Sequence, residues 1–458
     1  MTRTQSNAAL GHLAARARQA TSDPMMRNSL AIMCSTVSTS LLGYAFWMIA
    51  ARHFDREVNG TAAATTSAIQ ATVLIASVGA AAALVEWLPR CDTAVEWRQR
   101  VTTAALVSVV TAAVGGGLVI GALGIASPTL PQLGTPVGAL LFLLACVFFA
   151  IGLVIDYIAV SEHRGGLLLA RNMVLCGLRI PLLFIPVSFV SGADSILLAW
   201  TVAAGLSLVW VLVTFGARDG RSLVPHFANL MPHLREMASS LVGQHLITVF
   251  AMLAGYLLPV VVYTRLSATD NAYFYITWML GSVFFIISPA VSAALFVEGA
   301  ADQFAMGSLV RRCILIVSAL LALPVVVYLV AGRLILSLFG QDYVEHGLLL
   351  LLLLTLSAVP DAVTNIAVAM LRVTGRMRTA LLLNGAMLVA CVGAAWFVLP
   401  LTGIVGAGTC WLASQSVGAA WVLVSWRRIV GSAGTVDATD AKDVVADVLP
   451  AAVQTADH

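Results

Sequence analysis

The residues of this chain that could do chemistry are few, and most are charges set among long apolar runs. Arg179 is the clearest, because it falls in the middle of an apolar stretch over 168 to 190. A charged side chain at the centre of a bilayer costs roughly 2.5 to 3.5 kcal/mol on insertion scales, so it tends to face a cavity or a partner. A guanidinium grips phosphate oxygens bidentately and stays charged throughout, which makes Arg179 a candidate ligand for an anionic group. The structural alternative is an ion pair with Asp156 or bonds to backbone carbonyls. Asp156 would itself repel an anion, so pairing with Arg171 or Arg179, or gating by protonation, suits it better. Gln244 and His245 lie together at the start of another apolar run. Asp361 and Asn365 share a helical face at i, i+4 spacing, and Glu86 and Glu298 stand at matching places near the inner ends of two runs. Arg52 and Arg265 close two further runs, either as a symmetric basic mouth or as arginines snorkelling to the membrane interface.

The elements that carry these residues are membrane helices. Hydrophobic residues make up 60% of the 458 and charged residues 10%, with a mean hydropathy of +0.95. A water-exposed surface of this size would need roughly a quarter of its residues charged, which excludes an ordinary soluble fold. Twelve stretches reach the ~20 apolar residues needed to span a ~30 Å hydrocarbon core. They cover 29 to 50, 61 to 88, 101 to 125, 137 to 160, 168 to 190, 194 to 216, 240 to 263, 273 to 297, 310 to 332, 346 to 371, 379 to 400 and 403 to 426. Continuous apolar runs favour helices over the alternating strands of a barrel. The fold class expected is an all-α integral membrane protein.

Basic residues fall in alternate gaps. The even gaps and both tails hold twenty of the 25, and the odd gaps hold Arg52, Arg56, Arg265 and Arg333, leaving Arg179 inside a span. The positive-inside rule then puts both termini in the cytoplasm of a cell inner or plasma membrane. No cleavable signal peptide is expected at the polar, basic start. Residues 1 to 28 read as a cytoplasmic tail, 217 to 239 as a cytoplasmic linker, and 427 to 458 as a disordered cytoplasmic tail. The seven cysteines lie in spans or on the cytoplasmic side without a CxxC or Cys/His cluster, so neither disulfides nor a metal site is expected, and no cofactor.

The chain also repeats itself. Gly43, Tyr44, Arg52, Asn59 and the run ending at Glu86 recur about 212 residues later as Gly255, Tyr256, Arg265, Asn271 and a run ending at Glu298. The same offset pairs Arg100 with Arg312, Arg164 with Arg376 and Asn172 with Asn384. Several matches at one offset indicate a duplication into lobes of six spans, 29 to 216 and 240 to 426. An even number of spans gives both lobes the same orientation, a parallel repeat about an axis along the membrane normal.

The chain resembles the Wzx-type polysaccharide or oligosaccharidyl-lipid flippases of the multidrug/oligosaccharidyl-lipid/polysaccharide exporter superfamily. The resemblance lies in Phe46-Trp47-Met48-Ile49-Ala50-Ala51-Arg52 followed by Asn59-Gly60, and in Ser288-Pro289-Ala290 leading to Leu295-Phe296-Val297-Glu298. It continues through Leu338-Phe339-Gly340 with Tyr343, Arg372 with Gly375-Arg376, and Gly403-Ile404-Val405-Gly406-Ala407-Gly408. It covers nearly the whole chain, though the patterns are diffuse. It implies two six-helix lobes around a central cavity that opens alternately to the two sides. The implied cargo is a polyprenyl-diphosphate-linked oligosaccharide carried outward, with membrane lipids and polysaccharide assembly enzymes as partners of a monomeric transport unit.

On this reading Arg179, Arg52, Arg265, Gln244, His245 and Asn365 are expected to contact substrate. Asp156, Arg171, Glu86, Glu298 and Asp361 are expected to form gates or ion pairs. Three alternatives remain open: a peptidoglycan lipid-precursor flippase, a small-molecule or drug exporter, and a membrane polymerase or glycosyltransferase. The first would carry two more spans, the second acids in the first or seventh span, and the third a carboxylate cluster in an outside loop. Nothing resembles a nucleic-acid interface, and the only lysine, Lys442, lies outside any phosphate-loop pattern.

Overall fold

In a computed structural model the chain folds into a bundle of long helices. The structure describes residues 24–77, 79–127, 129–185, 190, 192–215, 223–301 and 306–431. Most of both expected tails, and 217 to 222 of the expected linker, lie outside them.

The first half contains α1 (Pro24–His53), α2 (Arg56–Ala76), α3 (Ala80–Trp87), α4 (Ala94–Val119), α5 (Pro136–Ser161), α6 (Gly165–Leu182) and α7 (Ala193–Phe215). The second half contains α8 (Leu230–Arg265), α9 (Ala268–Ala301), α10 (Met306–Ser337), α11 (Gln341–Val373), α12 (Met377–Thr402) and α13 (Val405–Gly431). Among the described residues ten helices are long and apolar enough to cross a membrane. An eleventh crossing is the broken pair α2–α3, bent by 50°. Gly79 precedes α3 with φ +73°, a left-handed conformation that glycine adopts without steric cost. The twelfth, α13, is 27 residues long but carries Thr409, Ser414, Gln415 and Ser416, which lower its hydropathy.

The duplication is visible in the packing. In the first half α1 packs on α6, α4 on α5, α5 on α7, α6 on α7, and α2–α3 on both α4 and α5. In the second half α8 packs on α12, α10 on α11, α11 on α13, α12 on α13, and α9 on both α10 and α11. These are the same contacts shifted by six spans. Repeat-related asparagines make equivalent ties: Asn172 Nδ2 donates to Ser35 Oγ (3.0 Å), joining α6 to α1, and Asn384 Nδ2 donates to the Ile247 carbonyl (3.2 Å), joining α12 to α8.

One boundary differs from expectation. The apolar span Gly243–Arg265 agrees with the expected 240 to 263, but its helix starts earlier, at Leu230, because the polar stretch with Pro232, His233 and Arg235 is poor in hydrophobicity yet still helical. Hydropathy marks where a helix enters lipid, not where its hydrogen bonds begin.

The lobes meet through α2, which packs on α8 and α9. At the arginine-poor end the approach is close enough to require glycine: a Cβ on Gly60 would fall 1.6 Å from the Ala268 carbonyl oxygen. Asn271 Nδ2 donates to the Gly60 carbonyl at 2.7 Å in the same place.

Candidate functional site

Between the lobes lies a cavity of about 650 Å³. It is lined by the second half of α2 and by α3, by Phe149, Leu153, Asp156 and Tyr157 of α5, and by Arg171, Asn172 and Leu175 of α6. From the other lobe come Gln244, His245, Thr248, Met252 and Tyr256 of α8, and Arg372 of α11. Each helix contributes the half nearer the arginine-rich end of the bundle. The walls are mainly apolar, with a few polar groups converging from both lobes, the usual make-up of a binding cavity.

At the opposite end the lobes are joined. Arg56 Nη2 meets Asp342 Oδ2 at 2.6 Å, Arg52 Nε donates to the Leu338 carbonyl at 2.9 Å, and Asn271 bonds Gly60. Deeper in, Tyr44 donates to the Met279 carbonyl (3.4 Å), and the Trp47 and Tyr275 rings lie 4.7 Å apart. The site is therefore a cleft closed at the arginine-poor end.

The α6 helix sets the charges. Arg171, Leu175 and Arg179 recur every four residues and so share a face. Arg171 lines the cavity and is ion-paired with Asp156 of α5. Gly152, one turn from Asp156 on α5, leaves room for that pair, since a Cβ there would collide with Arg171 Nη2. Among the described residues Asp156 is the only acid in the lining, against two arginines, Arg171 and Arg372. Arg372 reaches the cavity from the last turn of α11, so the two arginines approach from different lobes.

Arg179 lies elsewhere than expected. It is buried and absent from the lining of this cavity. Its guanidinium stacks 3.9 Å from the Trp200 ring and 5.4 Å from that of Phe149, while Phe149 itself faces the cavity. The correction has a simple cause: periodicity gives the face of α6 but not the depth at which the lobes close. The cation is held by aromatic faces, an interaction worth about 2 kcal/mol or more when desolvated. It makes no ion pair among the described residues.

The other expected site residues divide. Gln244 and His245 line the cavity beside Arg171 and Asp156. Asn365 does not; it lies with Asp361 in a second chamber of about 30 Å³ inside the second lobe, together with Thr364, Asn384, Ser414 and Gln415. There Asn365 Nδ2 donates to the Asp361 carbonyl (2.9 Å) and Thr364 Oγ1 to Gln415 Oε1 (3.0 Å). This volume suits a single water-sized guest. Arg52 and Arg265 do not form a common mouth: Arg52 reaches Leu338 across the lobes, whereas Arg265 donates to the Trp396 carbonyl (3.0 Å) and lies over that ring within its own lobe. Glu86 pairs with Arg90 at 2.8 Å. Glu298 lies in α9, outside the described side chains.

Several site residues escaped sequence reasoning: Arg372, Asn172, Tyr256, Phe149 and the latch of Arg56 with Asp342. Asn172 carried a signal in its 212-residue match to Asn384, and Arg372 sits at the end of a span where a snorkelling arginine is unremarkable.

No family model matches the chain, and no curated protein matches it. Solved structures do. The inward-facing conformation of a multidrug resistance MATE family transporter of the MOP superfamily superposes with a TM-score of 0.65 and 15% identity, over 87% of this chain and 96% of that one. The outward-facing conformation of a multidrug resistance MATE family transporter of the MOP superfamily gives 0.60 and 15%, over 91% and 98%. A MATE structure in complex with MaD5 gives 0.60 and 14%, over 90% and 98%. At these identities the likeness is one of fold: two six-helix lobes in an all-α membrane bundle.

Proposed function

We propose that the protein is an alternating-access exporter and that the cleft is its cargo site, opened toward the cytoplasm. The orientation follows from the positive-inside rule, which makes the arginine-rich end cytoplasmic. The latch of Arg56 with Asp342 and of Asn271 with Gly60 closes the outer side, and rocking of the lobes about α2 exchanges the open ends. No covalent chemistry is needed for this work.

The cargo we infer is an amphiphile with an anionic group, of which a polyprenyl-diphosphate-linked oligosaccharide is the specific class. The observation that carries this is the charge of the lining: Arg171 and Arg372 come from opposite lobes, and the single carboxylate among the described residues, Asp156, is already engaged by Arg171. Such a cavity attracts a diphosphate, and its one described acid is already paired. Gln244, His245 and Asn172 supply hydrogen-bonding groups for sugar hydroxyls, while the apolar walls admit the start of the chain. Arg179, two turns beyond Arg171 along the same α6 face, meets the anion when the lobes reverse.

A second reading, export of small drug-like molecules, is favoured by the fold neighbours, whose titles name multidrug resistance transporters. Proteoliposomes separate the two. A fluorescent polyprenyl-diphosphate sugar should reach the far leaflet faster with the protein than without it, and Arg171→Gln with Arg372→Gln should remove most of the gain. Transport of a cationic dye, unaffected by that double substitution and without any lipid flipping, would establish the drug reading instead.

A further inference from the structure

A groove of about 830 Å³ runs between α12 and α13, away from the cleft between the lobes. One wall is the α12 ridge Leu382, Ala386, Ala390, Ala394 and Val398, each four residues from the next. The other wall belongs to α13 and includes Ala413, Val417 and Trp421. The small side chains of the ridge leave a trough, and Leu382 and Val417 are both 71% exposed along it. Both helices lie in the membrane-spanning bundle, so this trough faces hydrocarbon rather than water.

The two α13 hydroxyls within it already have partners. Ser414 Oγ donates to the Met387 carbonyl (2.8 Å) and Thr409 Oγ1 to the Gly406 carbonyl (2.9 Å). These two hydroxyls therefore offer little to a transmembrane helix held by hydrogen bonds, whereas a hydrocarbon chain needs only the van der Waals surface.

The charge lies at one mouth. Extending the same four-residue ridge back by one step from Leu382 gives Arg378, which is exposed at the start of α12. Arg376, also exposed, immediately precedes the helix. Neither α12 nor α13 itself contains an aspartate or glutamate. A basic mouth above an apolar trough between two membrane helices complements a phosphate above an acyl chain.

We propose that the α12–α13 groove is a binding site for an anionic glycerophospholipid, with an acyl chain along the Leu382–Val398 ridge and its phosphate at Arg378. The inference is independent of the cargo carried through the cleft. The test is native mass spectrometry of the full-length purified protein titrated with phosphatidylglycerol or phosphatidylcholine. One phosphatidylglycerol should be retained at a lower lipid ratio than phosphatidylcholine. Arg378→Gln should weaken that retention about fivefold, the effect of one basic residue at a membrane surface. Ala390→Trp fills the trough from α12 and Ala413→Trp fills it from α13, and either should abolish retention of the lipid. Both altered positions are exposed, so the core packing is untouched. Equal retention of the two lipids, or undiminished phosphatidylglycerol retention in both tryptophan variants, would overturn the proposal. Disulfide-linked dimers formed through Ala390→Cys in a membrane would also overturn it, because a second copy would then occupy the groove.

Discussion

Asn271 and Gly60 join the two lobes at the arginine-poor end by one buried hydrogen bond, the Asn271 amide donating to the Gly60 carbonyl at 2.7 Å. The close approach depends on the side chain Gly60 lacks, since a Cβ there would overlap the Ala268 carbonyl. Gly60→Ala should therefore prevent closure at this end while leaving each lobe intact. Spin labels at the exposed positions Glu57 and Glu345 should show a longer separation in Gly60→Ala than in the parent. An unchanged distance distribution would remove Gly60 from the gate.

The neighbouring pair tests the same gate with a smaller lever. Arg56 and Asp342 are 42% and 45% exposed, and an ion pair so hydrated contributes about 0.2 to 1 kcal/mol. That weakness suits a contact that must break in every cycle. Asp342→Asn should shift the closed fraction by up to about fivefold, and the exchange Arg56→Asp with Asp342→Arg should restore it. A shift of the same size at high salt and low salt would show that charge is not the cause.

Orientation is the simplest expectation to check. With Cys34→Ala to remove an exposed thiol, Glu57→Cys should react with a membrane-impermeant reagent on intact cells. Val95→Cys, exposed at the other end of the bundle, should react only after permeabilisation. The reverse pattern would invert the protein and make the cleft open outward.

The fold was legible because its determinants are local. Apolar runs and arginine placement depend on lipid solvation, and the 212-residue offset exposed the duplication that the packing of α1 on α6 and α8 on α12 repeats. The site was legible only in part. Gln244 and His245 could be named as substrate candidates at the start of their run and Arg171 as a partner of Asp156, but Arg372 comes from the other lobe and Asn365 turns into its own chamber. The first placement depends on how the two lobes meet and the second on how α11 is turned within its own lobe, and no sequence period encodes either.

Gly152 offers a way to perturb the cavity charge without removing a charged residue. An added Cβ would collide with the Arg171 guanidinium, while alanine favours the α5 helix by about 1 kcal/mol over glycine. Gly152→Ala should thus lower lipid flipping toward the level of Arg171→Gln while changing the thermal midpoint little. Unchanged flipping would mean that the geometry of Arg171 and Asp156 is immaterial to the cargo.

Arg179 separates a structural cation from a working one. Stacked between Trp200 and Phe149 and without an ion pair among the described residues, it retains a charge in the membrane interior that a purely structural site has no reason to keep. Arg179→Met preserves bulk and removes the charge, relieving its desolvation cost. If the guanidinium receives the anion during the outward step, this variant should fold at normal abundance and bind the lipid in the inward-facing cleft, yet flip it at least tenfold more slowly. Arg179→Lys should recover part of the rate, since it restores the charge but lacks the planar fork. Parental flipping by Arg179→Met would confine Arg179 to packing against Trp200. A loss of both abundance and thermal stability in Arg179→Met, restored by Arg179→Lys, would make the cation–π contact itself the reason for its presence.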